Sequence, residues 1–510
     1  MDDRTLYVPS HEGENVLPNS PWFHKLLRYA QRKSSRVAIR DVNANIEKTY
    51  HDLVSDALAF RNELRRRMSA QTLRDLAENK EVYIGLLAAG GYEYTVGFIA
   101  IVALGAAVVP MAAGLPVEEA AYFLSKARCV SLVASTTSED LAKSIAQFMG
   151  EKKNFHIPCI SPIASFFQPI PFPASEIVIS SNRMLDMNGA SAVIFTSGTT
   201  GPPKGAVQRR TWLTGNAETD GDFYGIMEQD VVLHTLPVHH ASGVGLTFLP
   251  FLTAGACIEF RSGSFNTAWT WERWRQGGLT FFSGVPTIYM RMMRYYEENI
   301  ATQAPRSTRS ICCWSQEHSH DALYGATEFG AVIKTDLDTR ETPRNSVGRV
   351  AEGVCLKLED DGHLLVKCPY MFSKYLHDEK ATSEAHDQDG YKISALDIER
   401  EILGLDYVSE VMVVGVEDEE FGQRVAATIS LKTDQNTTRK KLSLAELRDD
   451  LRSKLTGYKI PTILRVIKGE LPKSGTGKVQ KKILGPRFFP SNYRDIPEIQ
   501  VWSKELRARL

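Results

Sequence analysis

The sequence predicts an α/β protein with a large N-terminal domain, residues 1–390, and a small α+β domain, residues 391–510. The chain has 510 residues, which is too long for one compact core, and 43% of them are apolar, which is enough to fill two cores. Short β-branched runs alternate with helical apolar spacings along most of the chain, as in α/β folds. The polar stretch Asp387–Gly390, which ends in glycine, is the predicted linker.

Predicted strands and helices alternate through the first half of the large domain. In Tyr50–Arg65, for example, Leu53, Ala57 and Phe60 recur at helical spacing. The other elements predicted in this half are a helix at Trp22–Arg32, strands at Val37–Arg40, Glu81–Leu86, Val130–Ala134 and Val178–Ser180, and an irregular proline-containing connector at Ile160–Pro173.

The longest apolar stretch without a charge is Val96–Ala113, which has about the length of a short membrane span. Gly105 divides it into a segment that fits a buried helix, Tyr94–Leu104, and a segment that fits a short core strand, Ala106–Pro110. We therefore predict buried structure here and no transmembrane segment.

The segment with the most specific chemistry is Phe195–Gly205, Phe-Thr-Ser-Gly-Thr-Thr-Gly-Pro-Pro-Lys-Gly, which follows the strand-like run Ala192–Ile194. Glycines let the backbone turn its N–H groups inward, and hydroxyls and a lysine add further donors, which together suit a polyphosphate. The order excludes a Walker loop, and an ordinary surface loop is the alternative. The candidate nucleotide-binding residues are Thr196, Ser197, Gly198, Thr199, Thr200, Gly201 and Lys204.

Two further segments of the large domain carry candidate site residues. The predicted strand Val231–Leu236 leads to His239 and His240 at its end, where α/β sheets often bind ligands; a capped turn with a solvated histidine is the alternative. Tyr324–Glu328, Tyr-Gly-Ala-Thr-Glu, combines an aromatic ring that can stack on a purine with a hydroxyl and a carboxylate that can hold Mg²⁺ near phosphate.

The C-terminal block has helices and strands of its own. The predicted elements are a helix at Ile393–Leu403, strands at Val411–Val416 and Val425–Leu431, and a second helix that begins with the capping box Ser443-Leu-Ala-Glu446. Near its end, Leu471–Lys478, Leu-Pro-Lys-Ser-Gly-Thr-Gly-Lys, presents Lys478 from a glycine-containing turn. A solvated basic tail is the alternative explanation for this lysine.

These motifs, in this order, resemble the signature motifs of the adenylate-forming superfamily, which includes acyl-CoA synthetases, adenylation domains of peptide synthetases and firefly luciferase. The resemblance covers most of the chain. It implies a large domain of β-sheets sandwiched by helices and a small mobile C-terminal domain. It further implies the following roles: Tyr324 packs on adenine with Gly325 beside it, Thr327 contacts phosphate, Glu328 binds the metal, His240 borders the acyl pocket, and Lys478 contacts the carboxylate and phosphate during adenylation.

The resemblance implies a two-stage reaction. A carboxylate first attacks the α-phosphate of Mg·ATP to give an acyl-adenylate and pyrophosphate, and a thiol, usually that of coenzyme A, then displaces AMP. Alignment and charge neutralisation provide the catalysis, so the catalytic candidates are Lys478, Thr327, Glu328 and His240. Gly390–Glu399 is most similar to malonyl- and medium-chain carboxylate-activating members. The implied ligands are a small carboxylic acid, ATP, Mg²⁺ and coenzyme A.

The chain departs from the family pattern at two places. The family's Thr-Gly-Asp segment, whose aspartate holds the ribose, and the Gly-Arg that follows it, whose arginine binds phosphate, have no counterpart between Ala385 and Tyr391. Ile311–His320 stands where relatives carry a glycine-rich strand and loop that lines the adenine and acyl sites. Skipped exons or a degenerate, inactive copy would both produce this pattern.

Charge and cysteine content narrow the class of protein. Lys plus Arg number 60 and Asp plus Glu number 61, so no overall charge favours nucleic acid or an anionic membrane. The seven cysteines contain no CxxC pair, which predicts neither a zinc site nor a disulfide framework. The N-terminus lacks a secretion or transit pattern, and Ala508-Arg509-Leu510 is a variant of the Ser-Lys-Leu address read by the peroxisomal import receptor. The expected location is cytoplasmic or peroxisomal.

Three functions are therefore compatible with the sequence. The leading prediction is an AMP-forming acyl-CoA ligase. A free-standing adenylating enzyme that loads a separate carrier protein is the second. The third is a non-catalytic nucleotide-binding protein that keeps the phosphate loop but lacks the ribose and arginine contacts.

Overall fold

The computed structural model describes residues 8–32, 36–196, 202–300, 323–335, 348–358, 364–385, 392–394, 399, 402–418, 422–432, 442–451, 460–473, 479 and 481–502. The chain divides into two compact units, and the main boundary lies between Ile393 and Ser394. The predicted linker Asp387–Gly390 lies outside the described residues, so the predicted domain boundary stays a prediction.

Nineteen described strands lie within the larger unit and a twentieth begins in it. They are β1 (Val16–Asn19), β2 (Val37–Asp41), β3 (Ile46–Thr49), β4 (Tyr83–Leu87), β5 (Ala107–Met111), β6 (Ser131–Ala134), β7 (Cys159–Ile160), β8 (Val178–Met184), β9 (Ala190–Thr196), β10 (Lys204–Arg209), β11 (Val231–His234), β12 (Cys257–Phe260), β13 (Phe281–Phe282), β14 (Leu323–Ala326), β15 (Gly330–Lys334), β16 (Arg349–Val350), β17 (Cys355–Leu358), β18 (Leu364–Lys367), β19 (Lys374–Tyr375) and β20 (Lys392–Ser394).

The same unit contains eleven described α-helices. They are α1 (Pro21–Ala30), α2 (Tyr50–Arg67), α3 (Ala70–Ala77), α4 (Tyr92–Leu104), α5 (Val117–Ala127), α6 (Glu139–Lys153), α7 (Ala217–Tyr224), α8 (Leu249–Ala254), α9 (Thr267–Arg275), α10 (Pro286–Asn299) and α11 (Glu379–Ala385). Two π-helical segments, Trp212–Asn216 and Gly243–Phe248, run directly into α7 and α8.

Two mainly parallel sheets organise the larger unit. The seven-stranded sheet has the order β19-β10-β9-β5-β4-β6-β7, in which β9, β10 and β19 pair antiparallel and the other neighbours pair parallel. The five-stranded sheet has the order β13-β11-β12-β2-β3, with only β2 and β3 antiparallel. Parallel neighbours need a crossover connection, and helices provide such connections here, as in other α/β sheets.

The main hydrophobic core contains α2, α4 and side chains from both of these sheets. Helix α4 is apolar on all sides and almost wholly buried, and Gly105 ends it in the left-handed region with φ near 92°. The predicted helix and strand within Val96–Ala113 are therefore confirmed as α4 and β5. None of the described helices combines the length and the apolar composition needed to cross a membrane.

The smaller unit is built around a four-stranded sheet of order β21-β22-β23-β24. Its described elements are β21 (Val408–Asp418), β22 (Gly422–Leu431), α12 (Leu444–Leu451), β23 (Ile463–Ile467), α13 (Lys481–Phe488) and β24 (Ile499–Val501). The predicted capping box forms, because the Ser443 backbone N–H donates to the Glu446 carboxylate (2.8 Å) and the Glu446 N–H donates to Ser443 Oγ (3.3 Å). Leu444, Leu447 and Leu451 of α12 enter the core of this unit.

The prediction that a helix begins at Ile393 is wrong. Lys392–Ser394 is strand β20, which joins β17 and β18 in a three-stranded sheet. The apolar spacing that suggested a helix is also compatible with a short strand, and pairing with a neighbouring strand decided the outcome.

Candidate functional site

The phosphate-loop motif lies between two antiparallel strands at one side of the seven-stranded sheet. Thr196 ends β9 and Lys204 begins β10, and the two residues are directly opposite each other, with the Thr196 hydroxyl 3.4 Å from the Lys204 carbonyl oxygen. Gly205 follows, opposite Phe195, and a Cβ there would lie 2.8 Å from Val193 Cγ1. The remaining predicted loop residues, Ser197, Gly198, Thr199, Thr200 and Gly201, lie outside the described residues.

The Tyr324–Glu328 motif forms the end of one strand and a tight turn. Gly325 in β14 lies very close to Gly330, the first residue of β15 after the turn. A Cβ on Gly325 would lie 2.3 Å from the Gly330 carbonyl oxygen, and Gly330 itself has φ near 69°. The rings of Tyr324 and Phe329 stack with their centroids 6.4 Å apart. The motif therefore requires glycine at 325 for a steric reason, independent of any ligand.

The two motifs lie together in the larger unit. The Gln208 side-chain amide, from β10, donates to the Thr327 carbonyl oxygen (2.7 Å). The Phe372 backbone N–H donates to the Glu328 carbonyl oxygen (2.7 Å). The turn that carries Thr327 and Glu328 is thus fixed to the strand that begins with Lys204 and to the segment that leads into β19.

Tyr375 of β19 lies between the charged residues of the two motifs. Its hydroxyl donates to the Glu328 carboxylate, and the Lys204 ammonium lies 5.2 Å from the centroid of its ring. Burial raises the pKa of the Tyr375 hydroxyl and the Glu328 charge raises it further, so the group stays a proton donor at neutral pH. Tyr375 and Gln208 were not predicted as site residues, because neither belongs to a motif and only strand pairing brings them here.

His240 lies in a turn stabilised by short-range contacts. Its backbone N–H donates to the Pro237 carbonyl oxygen (3.1 Å), and its Nδ1 lies 2.9 Å from Ser242 Oγ. Gly243 allows the turn to close, because a Cβ would lie 2.1 Å from the Pro237 carbonyl oxygen. Burial lowers the pKa of the adjacent His239 to about 4, so this second imidazole is neutral at physiological pH.

A buried ion pair joins α7 to the strand after the Tyr324–Glu328 turn. Lys334, at the end of β15, pairs with Asp220 of α7, and both side chains are almost completely buried. Burial raises the pKa of Asp220 to about 6, and the Lys334 charge acts in the opposite direction. The Asn216 amide donates to Asp220 Oδ2 (3.1 Å) and lies 3.4 Å from the Gly245 carbonyl oxygen. The sequence offers no signal for this network, because a lysine at a strand end is usually solvated.

Lys478 and the predicted turn around it lie outside the described residues. The nearest described parts are Lys473 and Val479, which form an isolated antiparallel bridge, and Lys473 is ion-paired with Glu410. The predicted site residues form three groups: the phosphate loop, Tyr324–Glu328 and the turn around Lys478. The structure brings the first two groups together, through the described residues Thr196 and Lys204 of the first and Tyr324 to Glu328 of the second.

The Glu328 carboxylate is the acidic group that contacts Tyr375 beside Lys204. Within the described part of the chain, no group of three or more His, Cys, Asp or Glu side chains could hold a metal ion. Mg²⁺ commonly uses one or two protein carboxylates and completes its shell with substrate phosphates and water. The residues present therefore fit a magnesium ion that is bound jointly by protein and nucleotide.

Two family models match this chain. The model for AMP-binding enzymes matches residues 26–376, and the model for the C-terminal domain of AMP-binding enzymes matches residues 397–478. The first match covers both motifs of the site described above, and the second ends at Lys478.

Relatives named as CoA ligases match along nearly the whole chain. An acyl-CoA ligase, oryP of Aspergillus oryzae, is 26% identical and the match covers 93% of each chain. The mitochondrial malonate–CoA ligase ACSF3 of Mus musculus is 25% identical, with 96% of this chain and 95% of the relative covered. That alignment runs over 578 positions, which exceeds the 510 residues of this chain, so the relative has residues where this chain has none.

Solved structures share the fold. The ATP-bound structure of MatB from Rhodopseudomonas palustris superposes with a TM-score of 0.70 at 22% identity, covering 92% of this chain and 99% of that one. The AMP complex of O-succinylbenzoate coenzyme A synthetase from Bacillus subtilis gives a TM-score of 0.64 at 20% identity, covering 90% and 97%.

Proposed function

The chain belongs to the AMP-binding enzyme family, and we propose that it is an ATP-dependent acyl-CoA ligase that activates a small carboxylic acid as an acyl-adenylate and transfers the acyl group to coenzyme A. The observation that carries this proposal is the junction of Lys204 and Glu328 across Tyr375. It places a cation and an anion from two distant motifs around one small region, as binding of a metal–triphosphate complex requires.

We assign the first stage of the reaction to the residues of the two motifs and to Lys478, with His240 beside the acyl group. The acid carboxylate attacks the α-phosphorus of ATP and pyrophosphate leaves. Lys204 and the Thr196 hydroxyl contact the triphosphate, Tyr324 packs on the adenine, and the Thr327 hydroxyl contacts phosphate. Glu328 would hold Mg²⁺, which would supply charge neutralisation at the phosphate oxygens. Lys478 contacts the carboxylate and the phosphate, and His240 borders the acyl group.

In the second stage the coenzyme A thiol attacks the acyl carbonyl and AMP leaves. Neither stage needs a protein nucleophile, so the work of the side chains is to align the reactants and to stabilise developing charge. A carrier protein thiol is the alternative acceptor.

We propose malonate and related short carboxylic acids as the first substrates to test. The support is that relatives named malonate–CoA ligases from Mus musculus and Arabidopsis thaliana match 96% and 79% of the chain. The segment Ile311–His320, which replaces a pocket-lining segment of the family, lies outside the described residues. The acid is therefore proposed from the relatives and not from the geometry of a pocket.

A specific observation favours a second candidate function, a non-catalytic nucleotide-binding protein. The chain lacks the family's ribose-binding aspartate and phosphate-binding arginine segments, and its alignment with the Mus musculus relative is longer than the chain itself. Such a protein would keep the contacts of Lys204 and Glu328 to the triphosphate but would not align the α-phosphate for attack.

ATP–pyrophosphate exchange over a panel of carboxylic acids, combined with calorimetric ATP binding, separates these functions. Exchange that depends on malonate or a related acid, followed by thioester formation with coenzyme A, is the result expected for the ligase. ATP binding without exchange for any acid would favour the non-catalytic protein. Absence of ATP binding would contradict both.

We further propose peroxisomal import through Ala508-Arg509-Leu510, which lies outside the described residues. A fluorescent protein that carries the last residues of this chain at its own C-terminus is expected to collect in peroxisomes. A matched fusion with these three residues removed should stay in the cytosol. Equal distribution of the two fusions would contradict the proposal.

A further inference from the structure

We infer that Tyr375 is a positioning residue. It orients the Glu328 carboxylate toward the cation bound with ATP and fixes the position of this carboxylate relative to Lys204. The inference rests on the proposed function, because it concerns the metal role given there to Glu328. Tyr375 lies outside all the predicted motifs, and 47 residues separate it from Glu328 along the chain.

The backbone around Tyr375 is fixed to the strand that begins with Lys204. Tyr375 is paired with Ala206 in β10. On one side the Ser373 N–H donates to the Val207 carbonyl oxygen (2.8 Å), and on the other the Leu376 N–H donates to the Gly205 carbonyl oxygen (2.8 Å). Backbone hydrogen bonds therefore set the distance between the Tyr375 ring and the phosphate loop.

The Tyr375 ring is equally constrained. The side chain is buried, at 7% exposure, and packs edge-to-face against Phe372 with ring centroids 4.9 Å apart. The Tyr375 backbone N–H donates to Thr382 Oγ1 of α11 (2.9 Å), which fixes the strand from its other side. A ring held in this way can direct its hydroxyl to one place only, since a phenol has two side-chain torsions.

The Tyr375 hydroxyl meets the Glu328 carboxylate at Oε1. The backbone of Glu328 is held by the same segment, because its carbonyl oxygen accepts the Phe372 N–H (2.7 Å). The segment from Phe372 to Tyr375 therefore holds Glu328 at both its main chain and its carboxylate. Ligating carboxylates are commonly oriented by hydrogen bonds of this kind, and loss of such a partner typically weakens metal binding about 10- to 100-fold.

The phenol also separates the two charges. Lys204 lies over the ring face, whereas Glu328 is bonded to the hydroxyl at the ring edge. This arrangement keeps the ammonium and the carboxylate on different sides of Tyr375, so each can act on the nucleotide complex.

The test uses Tyr375→Phe, which removes the hydroxyl and keeps the ring beside Lys204 and Phe372. The matched control is Tyr92→Phe, because the Tyr92 hydroxyl also donates to a buried carboxylate, that of Asp56 (2.6 Å), in the same unit. Calorimetry measures ATP affinity with Mg²⁺ and with EDTA for both variants and the full-length wild-type chain. Pyrophosphate exchange gives the Mg²⁺ concentration for half-maximal rate.

For Tyr375→Phe we expect the enhancement of ATP affinity by Mg²⁺ to fall about tenfold, with affinity in EDTA unchanged, and the half-maximal Mg²⁺ concentration to rise by a similar factor. Tyr92→Phe should match the wild type in both measurements. Equal Mg²⁺ enhancement in Tyr375→Phe and wild type would overturn the inference. Equal loss of affinity with and without Mg²⁺ would also overturn it, in favour of a purely structural role.

Failure of the proposed function would give results different from failure of the inference about Tyr375. A wild-type chain that binds no ATP contradicts the ligase proposal itself. A wild-type chain whose ATP affinity is unaffected by Mg²⁺ removes the metal role of Glu328, and the orienting role of Tyr375 falls with it.

Discussion

Single buried side chains determine which groups near the site carry charge. His234, the last residue of β11, is buried, and its Nδ1 lies 2.6 Å from Thr247 Oγ1. Burial lowers the pKa of His234 from 6.5 to about 3. Between these values the unfolded chain binds a proton that the folded chain does not, so this histidine favours unfolding as the pH falls.

We expect His234 to reduce the free energy of unfolding by about 2 kcal/mol between about pH 7 and about pH 5. The variant His234→Gln, which does not titrate, should lack this contribution, so its pH dependence should be shallower than that of the wild type by about the same amount. Urea denaturation at the two pH values measures both slopes. Identical slopes would show that His234 is accessible to protons in the folded chain.

At the scale of elements, the β14–β15 turn depends on glycine. Gly325 approaches the Gly330 carbonyl oxygen too closely for any side chain, whereas Gly114 has open space around the position of a Cβ. The contrast separates a steric requirement from the general entropic effect of replacing glycine.

We expect Gly325→Ala to lower acid-dependent pyrophosphate exchange at least tenfold, because the turn that carries Thr327 and Glu328 must shift to accommodate the added methyl group. Gly114→Ala should leave the exchange rate unchanged and alter stability by no more than about 0.5 kcal/mol. Equal activity of the two variants would show that the turn geometry does not matter for the reaction.

The Asp220–Lys334 pair is a second contact at this scale, since it joins α7 to β15. Removal of one partner leaves a buried charge without compensation, which typically costs about 3–5 kcal/mol. We expect Lys334→Met to destabilise the larger unit by this amount. The double variant Asp220→Leu, Lys334→Met should recover much of the loss, because neither charge is then buried.

Chemical denaturation of the single and double variants measures this coupling. A double variant that is no more stable than Lys334→Met alone would contradict the expected compensation. ATP affinity measured for the same variants would show whether the ion pair contributes to the site beyond holding β15 in place.

At the scale of the whole molecule, the proposed reaction uses residues from the segments matched by both family models. Lys478 belongs to the segment matched by the C-terminal domain model, whereas Lys204 and Glu328 lie in the larger unit. We expect Lys478→Ala to reduce acyl-adenylate formation on the order of 10²–10³-fold, because a charge that stabilises the transition state is lost. ATP affinity should change much less.

Lys473→Ala is the matched control for this prediction. Lys473 is in the same unit and forms an ion pair with Glu410, so its loss should affect stability more than chemistry. Pyrophosphate release in single turnovers, together with thermal unfolding, measures both quantities. Near-normal pyrophosphate release by Lys478→Ala would contradict the role given to this lysine.

The sequence predicted the fold class, which the structure confirms, and the family, which the family-model matches confirm. The predicted element at Tyr94–Leu104 and its end at Gly105 are confirmed because a fully apolar helix and a left-handed glycine are local properties of the chain. Lys392–Ser394 was misassigned, since three residues of strand can be identified only from their partner strand.

The sequence by itself determined the identity and order of the motifs, because phosphate-binding and metal-binding residue types are specified by local composition. Only the tertiary structure decided which residues connect them. Tyr375 and Gln208, which do so, are ordinary residues in ordinary strands, and their contacts come from the pairing of β10 with β19 and from the position of the β14–β15 turn beside β10. Contacts between distant segments depend on strand order and burial, which no local pattern in the chain encodes.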